Sequence, residues 1–445
     1  MESEAAAVRP LTPLRQWLRD PLILAILAVY LGLAFTYNFT MALGHAPDEP
    51  NRHYPYVKFL ATHWRLPVGD PATEGGDLDI HPPLYYALLT PVYLIFHRWG
   101  DMAALRALRL TSPPLVLLAL LLWLPVIARA CGHRRGPTLF AFALTAWWPH
   151  LFVPAGALNN DVGVIVMSAL LVYLIVVKDW EDRSWRSAAM WGAVVGMATL
   201  MKTSALPPGL GVVGAALLWQ HGRRWYADAR FWQRLGAGVG VALAVCGWWL
   251  ARNYQLYGEL RPVPVPPFAV PIPAGVSLTE ALATGLVGQL LIRAVSGLWA
   301  SAWAQMVWFP PQAEPFVYGT LRVVTLLAMA GWVWGYVRWR QRKLSGEVLR
   351  PALVLPIIGF GLLLAMAVYI ATFVHLGVFQ GGRYLLPFLP ALTVGLTLGL
   401  RVAIPPRLRL PLAVVCLLFF LALSPLAWWR LVTYWNPFVR GGGAP

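Results

Sequence analysis

Apolar segments long enough to cross a lipid bilayer recur along the whole of this 445-residue chain. A helix needs about 20 apolar residues to span the hydrocarbon core, and only helices and closed barrels satisfy their backbone hydrogen bonds there. Charged residues make up 12% of the chain, about half their usual share in soluble domains. The sequence therefore predicts an all-α polytopic membrane protein. Eleven spans are expected, at residues 21–43, 110–128, 137–155, 162–177, 188–201, 206–219, 235–251, 317–337, 352–374, 385–400 and 410–429.

Six clusters of basic residues separate these spans, and all six fall on one side of the membrane. The clusters are Arg9/Arg15/Arg19, Arg129/Arg134/Arg135, Lys178/Arg183/Arg186, Arg223/Arg224/Arg230/Arg234, Arg338/Arg340/Arg342/Lys343/Arg350 and Arg401/Arg407/Arg409, which hold 21 of the 35 lysines and arginines. Because Lys and Arg collect on the cytoplasmic side, the pattern predicts a cytoplasmic N-terminus. The formal net charge of +16 then follows from topology and does not indicate a nucleic-acid partner.

One short apolar segment tests this topology. Residues 84–96 are apolar but too few to cross a bilayer, and counting them as a span would move every later basic cluster to the outside. We therefore interpret residues 81–99 as an interfacial helix that starts at two prolines. We expect one transmembrane domain over residues 1–430, with outer loops at 44–109 and 252–316 and an outer tail at 431–445. Within the second loop, residues 278–308 are expected to contain an amphipathic helix.

The informative polar residues lie at or near the outer ends of the predicted spans. They are Asp48, Glu49, His53, His81, Asp161, Lys202, Arg252, Arg293, His375 and Arg383. Ionisable residues are costly near a bilayer and usually face a water-filled cavity. Their convergence from distant parts of the chain predicts one shared outer cavity.

The adjacent pair Asp48-Glu49 is the strongest functional signal, in a chain with only 19 acidic residues. The pair is either a solvated loop start between two prolines or a catalytic centre. Neighbouring residues of an extended chain point in opposite directions, so we expect Asp48 to act as a general base and Glu49 to support it. Asp161 is either a helix cap or a second carboxylate facing the first. Asp48 and Asp161 would be the ligands of any Mg²⁺ or Mn²⁺ ion.

Three basic side chains are candidates for binding an anion. His81 precedes the Pro-Pro start of the interfacial helix, Lys202 interrupts two apolar segments, and Arg383 precedes a span. Each has a simpler alternative, a local hydrogen bond for His81 and snorkelling to lipid headgroups for Lys202 and Arg383. The functional interpretation is that these three side chains bind a lipid phosphate.

Several short motifs occur in an order that resembles a known superfamily. The motifs are the Pro-Asp-Glu-Pro segment at 47–50 with His53-Tyr54, His81-Pro-Pro-Leu-Tyr-Tyr86, Leu158-Asn-Asn-Asp161, Met201-Lys-Thr203, Arg252-Asn-Tyr254 and Gly382-Arg-Tyr-Leu-Leu-Pro387. Over about residues 20–400 the chain resembles the GT-C integral membrane glycosyltransferases. In particular, it is similar to bacterial relatives of the protein O-mannosyltransferases and of the lipid A aminoarabinose transferase.

The resemblance implies an inverting glycosyltransferase that uses a polyprenyl-phosphate sugar donor and an extracytoplasmic acceptor, which is a glycan, a lipid or a protein. It assigns the base to Asp48, the second acidic residue to Asp161 and assistance to the phosphate to His81, where the aminoarabinose transferases have Lys. Further expected substrate-binding residues are His53, Tyr85, Lys202, Arg252, Arg383 and Tyr384. The family includes members that work without metal, so a Mg²⁺ or Mn²⁺ cofactor stays open.

Two other functions remain compatible with the same residues. A transporter or flippase of lipid-linked precursors also needs charges in an outward cavity, although it predicts charges deep within the spans as well. A catalytically silent GT-C-like scaffold subunit is the other alternative. The resemblance implies the plasma membrane of a bacterium, with the active site outside.

Overall fold

Every regular element in this computed structural model is helical. The structure describes residues 14–44, 46, 48–68, 81–260, 283–303, 315–341, 354–373 and 381–435. The predicted outer residue His375, parts of both predicted outer loops and most of the predicted tail lie outside the described residues.

The helices follow one another along the chain with short connections. They are α1 (Leu14–Trp17), α2 (Pro21–Thr40), a π-helical turn (Glu49–His53), α3 (Tyr54–His63), α4 (Leu84–Phe96), α5 (Asp101–Arg109), α6 (Ser112–Ala130), α7 (Arg135–Ala146), α8 (Phe152–Gly156), α9 (Asp161–Tyr173), α10 (Trp185–Met201), α11 (Leu206–His221), α12 (Ala229–Tyr257), α13 (Leu286–Trp303), α14 (Pro315–Arg340), α15 (Val354–Phe373), a 3₁₀ turn (Gly382–Phe388), α16 (Leu389–Ala403) and α17 (Pro406–Trp435).

The chain is a helical integral membrane protein. Within the described residues, seven helices are long and apolar enough to cross a membrane, or eight if the bent pair formed by α7 and 149–156 is one span. The predicted apolar segments coincide with helical residues, although the segment at 137–155 is divided by a bend. The count of eleven is not confirmed, since α10 and α11 have only 17 and 16 residues. The expected short helix after the two prolines is present as α4, with 13 residues, and α13 lies within the predicted 278–308.

The basic clusters described by the structure meet at one end of the bundle. The Arg135 Nε atom lies 2.6 Å from Asp20 Oδ2, which joins the starts of α7 and α2. Arg129 donates a hydrogen bond to the carbonyl of Val176 at 2.5 Å, and buried Arg234 donates to Gln220 at 2.6 Å. These contacts join the loops around α6, α9, α11 and α12, as the charge pattern predicts. The assignment of this end to the cytoplasm stays a prediction.

Close packing of α10 against α12 depends on glycine. A Cβ atom on Gly192 would lie 2.0 Å from the carbonyl oxygen of Gly238, and one on Gly196 would lie 2.8 Å from that of Ala242. Small residues allow helix backbones to approach this closely, a common arrangement in membrane bundles. The contact fixes the position of α10, whose last residue, Met201, directly precedes Lys202.

Candidate active site

The acidic pair lies in the turn between α2 and α3. Asp48 has a φ angle of 61°, in the left-handed region that side-chain-bearing residues seldom adopt. Its carbonyl oxygen accepts hydrogen bonds from the backbone N–H groups of Arg52 and His53, both at 3.0 Å. Residues in such conformations are frequent at functional sites. The turn holds the Asp48 side chain apart from its neighbour Glu49.

Glu49 is enclosed by structural partners. Arg109 donates to both carboxylate oxygens, from Nε to Oε1 at 2.7 Å and from Nη2 to Oε2 at 2.5 Å. The backbone N–H groups of Gly44 and Leu158 add hydrogen bonds at 3.0 and 3.1 Å. Both side chains of the ion pair are completely buried. Glu49 therefore ties the acidic turn to α5 and to the chain before α9, and it does not face the cavity described below.

Arg109 is a structural residue of the site that the sequence did not reveal. It lies at the end of α5 among several arginines, where the pattern is typical of a side chain that reaches lipid headgroups. Its guanidinium also donates to the carbonyls of Met41 and Ala42 at 2.7 and 2.8 Å. One buried arginine thus organises the turn that carries both acidic residues.

Two carboxylates and two cations converge from four separate elements. Asp161 begins α9 and forms an ion pair with Lys202, which follows α10. The Nη1 atom of Arg383 lies 3.4 Å from Asp48 Oδ2, and its Nε atom lies 4.0 Å from Asp161 Oδ2. Arg52 lies 3.6 Å from Asp48 Oδ1. The structure therefore brings together Asp48, Asp161, Lys202 and Arg383, and Arg383 bridges the two carboxylates.

Aromatic and imidazole rings form the adjacent wall. The Nδ1 atom of His53 lies 2.8 Å from the Tyr86 hydroxyl oxygen, and the ring centroids of His53 and His81 are 5.7 Å apart. Tyr85 packs edge-on against Tyr86. On the other side, the Lys202 ammonium lies 4.7 Å from the centroid of the Tyr384 ring. Four of the residues expected to bind substrate, His53, His81, Tyr85 and Tyr384, thus lie around the charged centre.

The structure does not bring Arg252 to the carboxylates. Within the described residues, its Nη2 atom donates to the carbonyl of Pro67 at 2.5 Å, and its guanidinium lies 5.0 Å from the Trp249 ring centroid. Arg293 lies on the exposed side of α13. Their positions in the sequence, after one span and before another, did not distinguish them from Arg383, because the angle around each helix axis depends on tertiary packing.

A cavity opens beside the charged centre and encloses about 370 Å³, including open space at its mouth. Its polar lining consists of Asp161, Ser168, Lys202, Ser204, Arg383 and Tyr384. The remaining lining is apolar and consists of Val164, Ala205, Pro208, Ala365, Pro387 and Phe388. The cavity therefore combines a cationic edge with apolar walls, which fits a ligand with a charged head and an apolar chain.

Burial and charge together set the protonation states around Asp48. Burial opposes ionisation of Asp48, but the charges of Arg383, His53 and Arg52 outweigh it and lower the pKa of the carboxyl group below its usual range. Burial lowers the pKa of His53 to about 4 and that of His81 well below its usual value. At neutral pH the carboxylate is therefore ionised and both imidazoles are neutral. The expected role of His81 in assisting a phosphate stays a prediction, and burial makes the charged form of its ring less favourable.

A second set of hydrogen bonds positions Arg383. The Nδ1 atom of buried His150 lies 2.7 Å from the Ser301 carbonyl oxygen, and the Ser301 hydroxyl accepts a hydrogen bond from Gly382 N–H at 2.9 Å. A Cβ atom on Gly382 would lie 2.2 Å from the backbone of α13. The 3₁₀ turn that carries Arg383 is therefore held against α13. His150 lies within a predicted span and Ser301 in a predicted loop, so their sequence positions gave no signal.

Within the part of the chain that the structure describes, the residues of this site do not fit a divalent metal ion. Among the described residues, no group of three or more His, Cys, Asp and Glu side chains is arranged to hold one. Mg²⁺ and Mn²⁺ prefer several oxygen ligands, whereas Asp48 and Asp161 are already neutralised by Arg52, Arg383 and Lys202. A dication between the carboxylates would meet the guanidinium of Arg383.

The helical arrangement resembles that of solved membrane proteins, among them an ArnT and an oligosaccharyltransferase. ArnT from Cupriavidus metallidurans bound to undecaprenyl phosphate has a similar structure, with a TM-score of 0.51 and 14% identity over 94% of this chain and 77% of that chain. The Archaeoglobus fulgidus oligosaccharyltransferase tethered with an acceptor peptide gives a TM-score of 0.50 and 13% identity over 97% of this chain and 56% of that chain. This chain thus spans little more than half the length of the archaeal protein.

A family model supports the same relationship in sequence. The model of the dolichyl-phosphate-mannose-protein mannosyltransferases matches residues 80–249, which include His81, Asp161 and Lys202. No curated protein matches the chain. The family match and the structural similarity confirm the resemblance to the GT-C superfamily that the motifs indicated.

Proposed function

We propose that this protein is an inverting glycosyltransferase that moves a sugar from a polyprenyl-phosphate donor to an extracytoplasmic acceptor, with Asp48 as the general base. The observation that carries the proposal is the charged centre. Arg383 links Asp48 to Asp161, and Lys202 and Arg383 line the edge of a cavity with apolar walls. Solved structures of similar fold hold undecaprenyl phosphate in ArnT and a dolichol-phosphate in AglB.

The donor fits the cavity by its chemistry. A guanidinium and an ammonium are the groups that bind phosphate oxygens best, and here Arg383 and Lys202 lie on the same wall. The apolar residues beside them offer a surface for the first part of a lipid chain. Asp161 holds Lys202 and approaches Arg383, so we assign it the role of orienting both cations.

The reaction then needs few further groups. An acceptor hydroxyl oxygen attacks the anomeric carbon and forms the new glycosidic bond. The bond from that carbon to the phosphate oxygen breaks, and its electron pair leaves with the lipid phosphate. The acceptor proton moves to the Asp48 carboxylate, while Lys202 and Arg383 stabilise the charge that develops on the phosphate. A single displacement of this kind inverts the anomeric configuration.

The proposal is tested with purified protein and a panel of polyprenyl-phosphate sugars, comparing the wild type with the Asp48→Asn variant. Removing a general base costs about 10²- to 10⁴-fold in rate, so donor consumption should fall at least about 100-fold. Asp101→Asn is the matched control, because Asp101 lies in the same predicted loop and is half exposed in a pair with Lys58. A fully active Asp48→Asn variant contradicts the mechanism. A donor that binds to wild type but is never consumed favours the transporter or scaffold function.

The charges around Asp48 make a prediction for the pH dependence of kcat. Because its pKa lies below the usual carboxyl range, the base is ionised at higher pH, and kcat should fall only when the pH drops through this lowered value. Arg52 lies 3.6 Å from the carboxylate and contributes to the lowering. In the Arg52→Gln variant the Asp48 pKa rises, so the acidic limb of the kcat profile should move to higher pH, with kcat at neutral pH little changed. An unmoved limb would exclude Asp48 as the titrating base.

A further inference from the structure

Two imidazoles beside the charged centre each have a ring nitrogen without a hydrogen-bond partner among the described residues. His53 is 1% exposed, and its Nδ1 atom is engaged by the Tyr86 hydroxyl at 2.8 Å. Its Nε2 atom and the Nε2 atom of His81 are both inaccessible and unpartnered. The two rings face each other with centroids 5.7 Å apart.

Unpaired nitrogens are unexpected here because the three neighbouring carboxylates are all paired. Glu49 uses both oxygens, Asp161 is paired with Lys202, and Asp48 lies between Arg52 and Arg383. Buried polar atoms in folded proteins are nearly always hydrogen-bonded, and each exception needs an explanation. Two unpaired imidazole nitrogens at one place indicate that a polar ligand binds beside His53 and His81.

The electrostatic surroundings determine the charge of that ligand. Asp48 and Asp161 attract a proton to His53, while Lys202 and Arg383 repel it, and burial is the largest effect. His81 faces His53, Arg52, Asp48 and Lys202, and burial again dominates. Both rings stay neutral at neutral pH, so they contribute no charge toward a phosphate. They suit an uncharged group instead.

We infer that His53 and His81 form a sub-site that hydrogen-bonds hydroxyl groups of the donor's sugar, while Lys202 and Arg383 hold the phosphate. A hydroxyl both donates and accepts, so it matches either tautomer of each ring. If Tyr86 donates to Nδ1 of His53, Nε2 carries the proton and donates to the sugar. The inference rests on the proposed function, because it places the sugar next to the phosphate and the base.

The experiment compares the binding of two lipids that differ only in the sugar, a polyprenyl phosphate and the corresponding polyprenyl-phosphate sugar. The His81→Phe variant keeps a planar ring and loses both nitrogens. It should bind the sugar-bearing lipid about tenfold more weakly and bind the bare lipid phosphate as wild type does. The His81→Gln variant, which retains polar atoms, should recover part of the loss. His63→Phe is the control, since His63 lies on an exposed turn of α3 and stacks on Phe59.

The other possible binding results contradict either the inference or the proposed function. Equal weakening of both lipids by His81→Phe would assign His81 to the phosphate and overturn the inference, and so would unchanged binding of the sugar-bearing lipid. Thermal unfolding of each variant in the absence of lipid separates a binding defect from a folding defect, and His53→Gln provides a second variant if His81→Phe does not fold. Binding is measured without turnover, so wild-type protein that binds neither lipid contradicts the proposed function itself.

Discussion

Asp48 and Glu49 are neighbours in sequence and yet differ in every physical respect that matters for catalysis. Glu49 receives four hydrogen bonds and is completely buried. Asp48 lies in a left-handed turn, and its oxygens meet two guanidinium groups at 3.4 and 3.6 Å. The longer distances leave the Asp48 oxygens room to accept a proton. The turn therefore gives Glu49 a structural role, and Asp48 is the carboxylate that we propose as the base.

The buried ion pair predicts a large loss of stability when its arginine is removed. In the Arg109→Gln variant, the Glu49 carboxylate keeps its burial and loses its bidentate partner. Breaking such a pair typically costs about 3–5 kcal/mol. We expect a decrease of that size in the free energy of unfolding, measured by denaturant titration in detergent micelles.

An exposed ion pair provides the control for this measurement. Lys58 and Asp101 are separated by 2.8 Å but are 45% and 53% exposed, and such pairs contribute about 0–1 kcal/mol. The Lys58→Met variant should therefore unfold almost as wild type does. Equal losses in Arg109→Gln and Lys58→Met would show that the Glu49–Arg109 pair does not anchor the acidic turn.

At the scale of elements, the position of Lys202 depends on the contact between α10 and α12. Lys202 directly follows α10, and α10 lies against α12 where Gly192 meets Gly238. The Gly192→Ala variant introduces a Cβ atom 2.0 Å from a carbonyl oxygen, so the helices must separate. Overpacking of this kind costs about 1–3 kcal/mol. We expect a lower unfolding temperature and weaker binding of polyprenyl phosphate, because Lys202 moves with α10.

Gly240, elsewhere on α12, provides the control for the contact between Gly192 and Gly238. A Cβ atom on Gly240 meets nothing within 4 Å, and alanine favours helix over glycine by about 1 kcal/mol. The Gly240→Ala variant should therefore unfold at or slightly above the wild-type temperature. A loss in Gly240→Ala as large as that in Gly192→Ala would attribute the effect to helix flexibility and not to close packing.

The sequence predicted some helices more accurately than others. The start of α4 after Pro82-Pro83 and its length followed from proline chemistry and from the apolar run. The span predicted at 137–155 is not one straight helix, since the chain bends by 48° between α7 and the segment that begins at Pro149. A proline disfavours the helical conformation of the residue before it, so this break had a local signal. The approach of Arg109 to Glu49 had none, because it depends on how α5 packs.

At the scale of the whole molecule, charge is divided between the two ends of the bundle. The described basic loops meet at one end through Asp20, Val176 and Gln220, and the candidate active site gathers the opposite ends of α2, α10 and the chain before α9. The positions of the basic clusters between the spans were sufficient to predict this division, since the chain changes sides of the membrane with each span. The contacts within the active site were not predictable from the order of the spans. That order determines at which end of the bundle a residue lies, but not the direction in which its side chain points.

The division of charge between the two ends of the bundle predicts how the protein is oriented in the membrane. Lys and Arg are retained on the cytoplasmic side, so we expect the basic end to face the cytoplasm and Asp48 to face the outside. Trp64 follows α3 in the predicted first outer loop and is 76% exposed, and Arg223 is exposed after α11 at the basic end. In intact cells, a membrane-impermeant maleimide should label the Trp64→Cys variant and leave Arg223→Cys unlabelled until the membrane is permeabilised. Cys131 and Cys246 are buried, and replacing Cys416 by serine removes the remaining background. The opposite labelling pattern would place the charged centre in the cytoplasm, where the acceptor would have to be a cytoplasmic molecule.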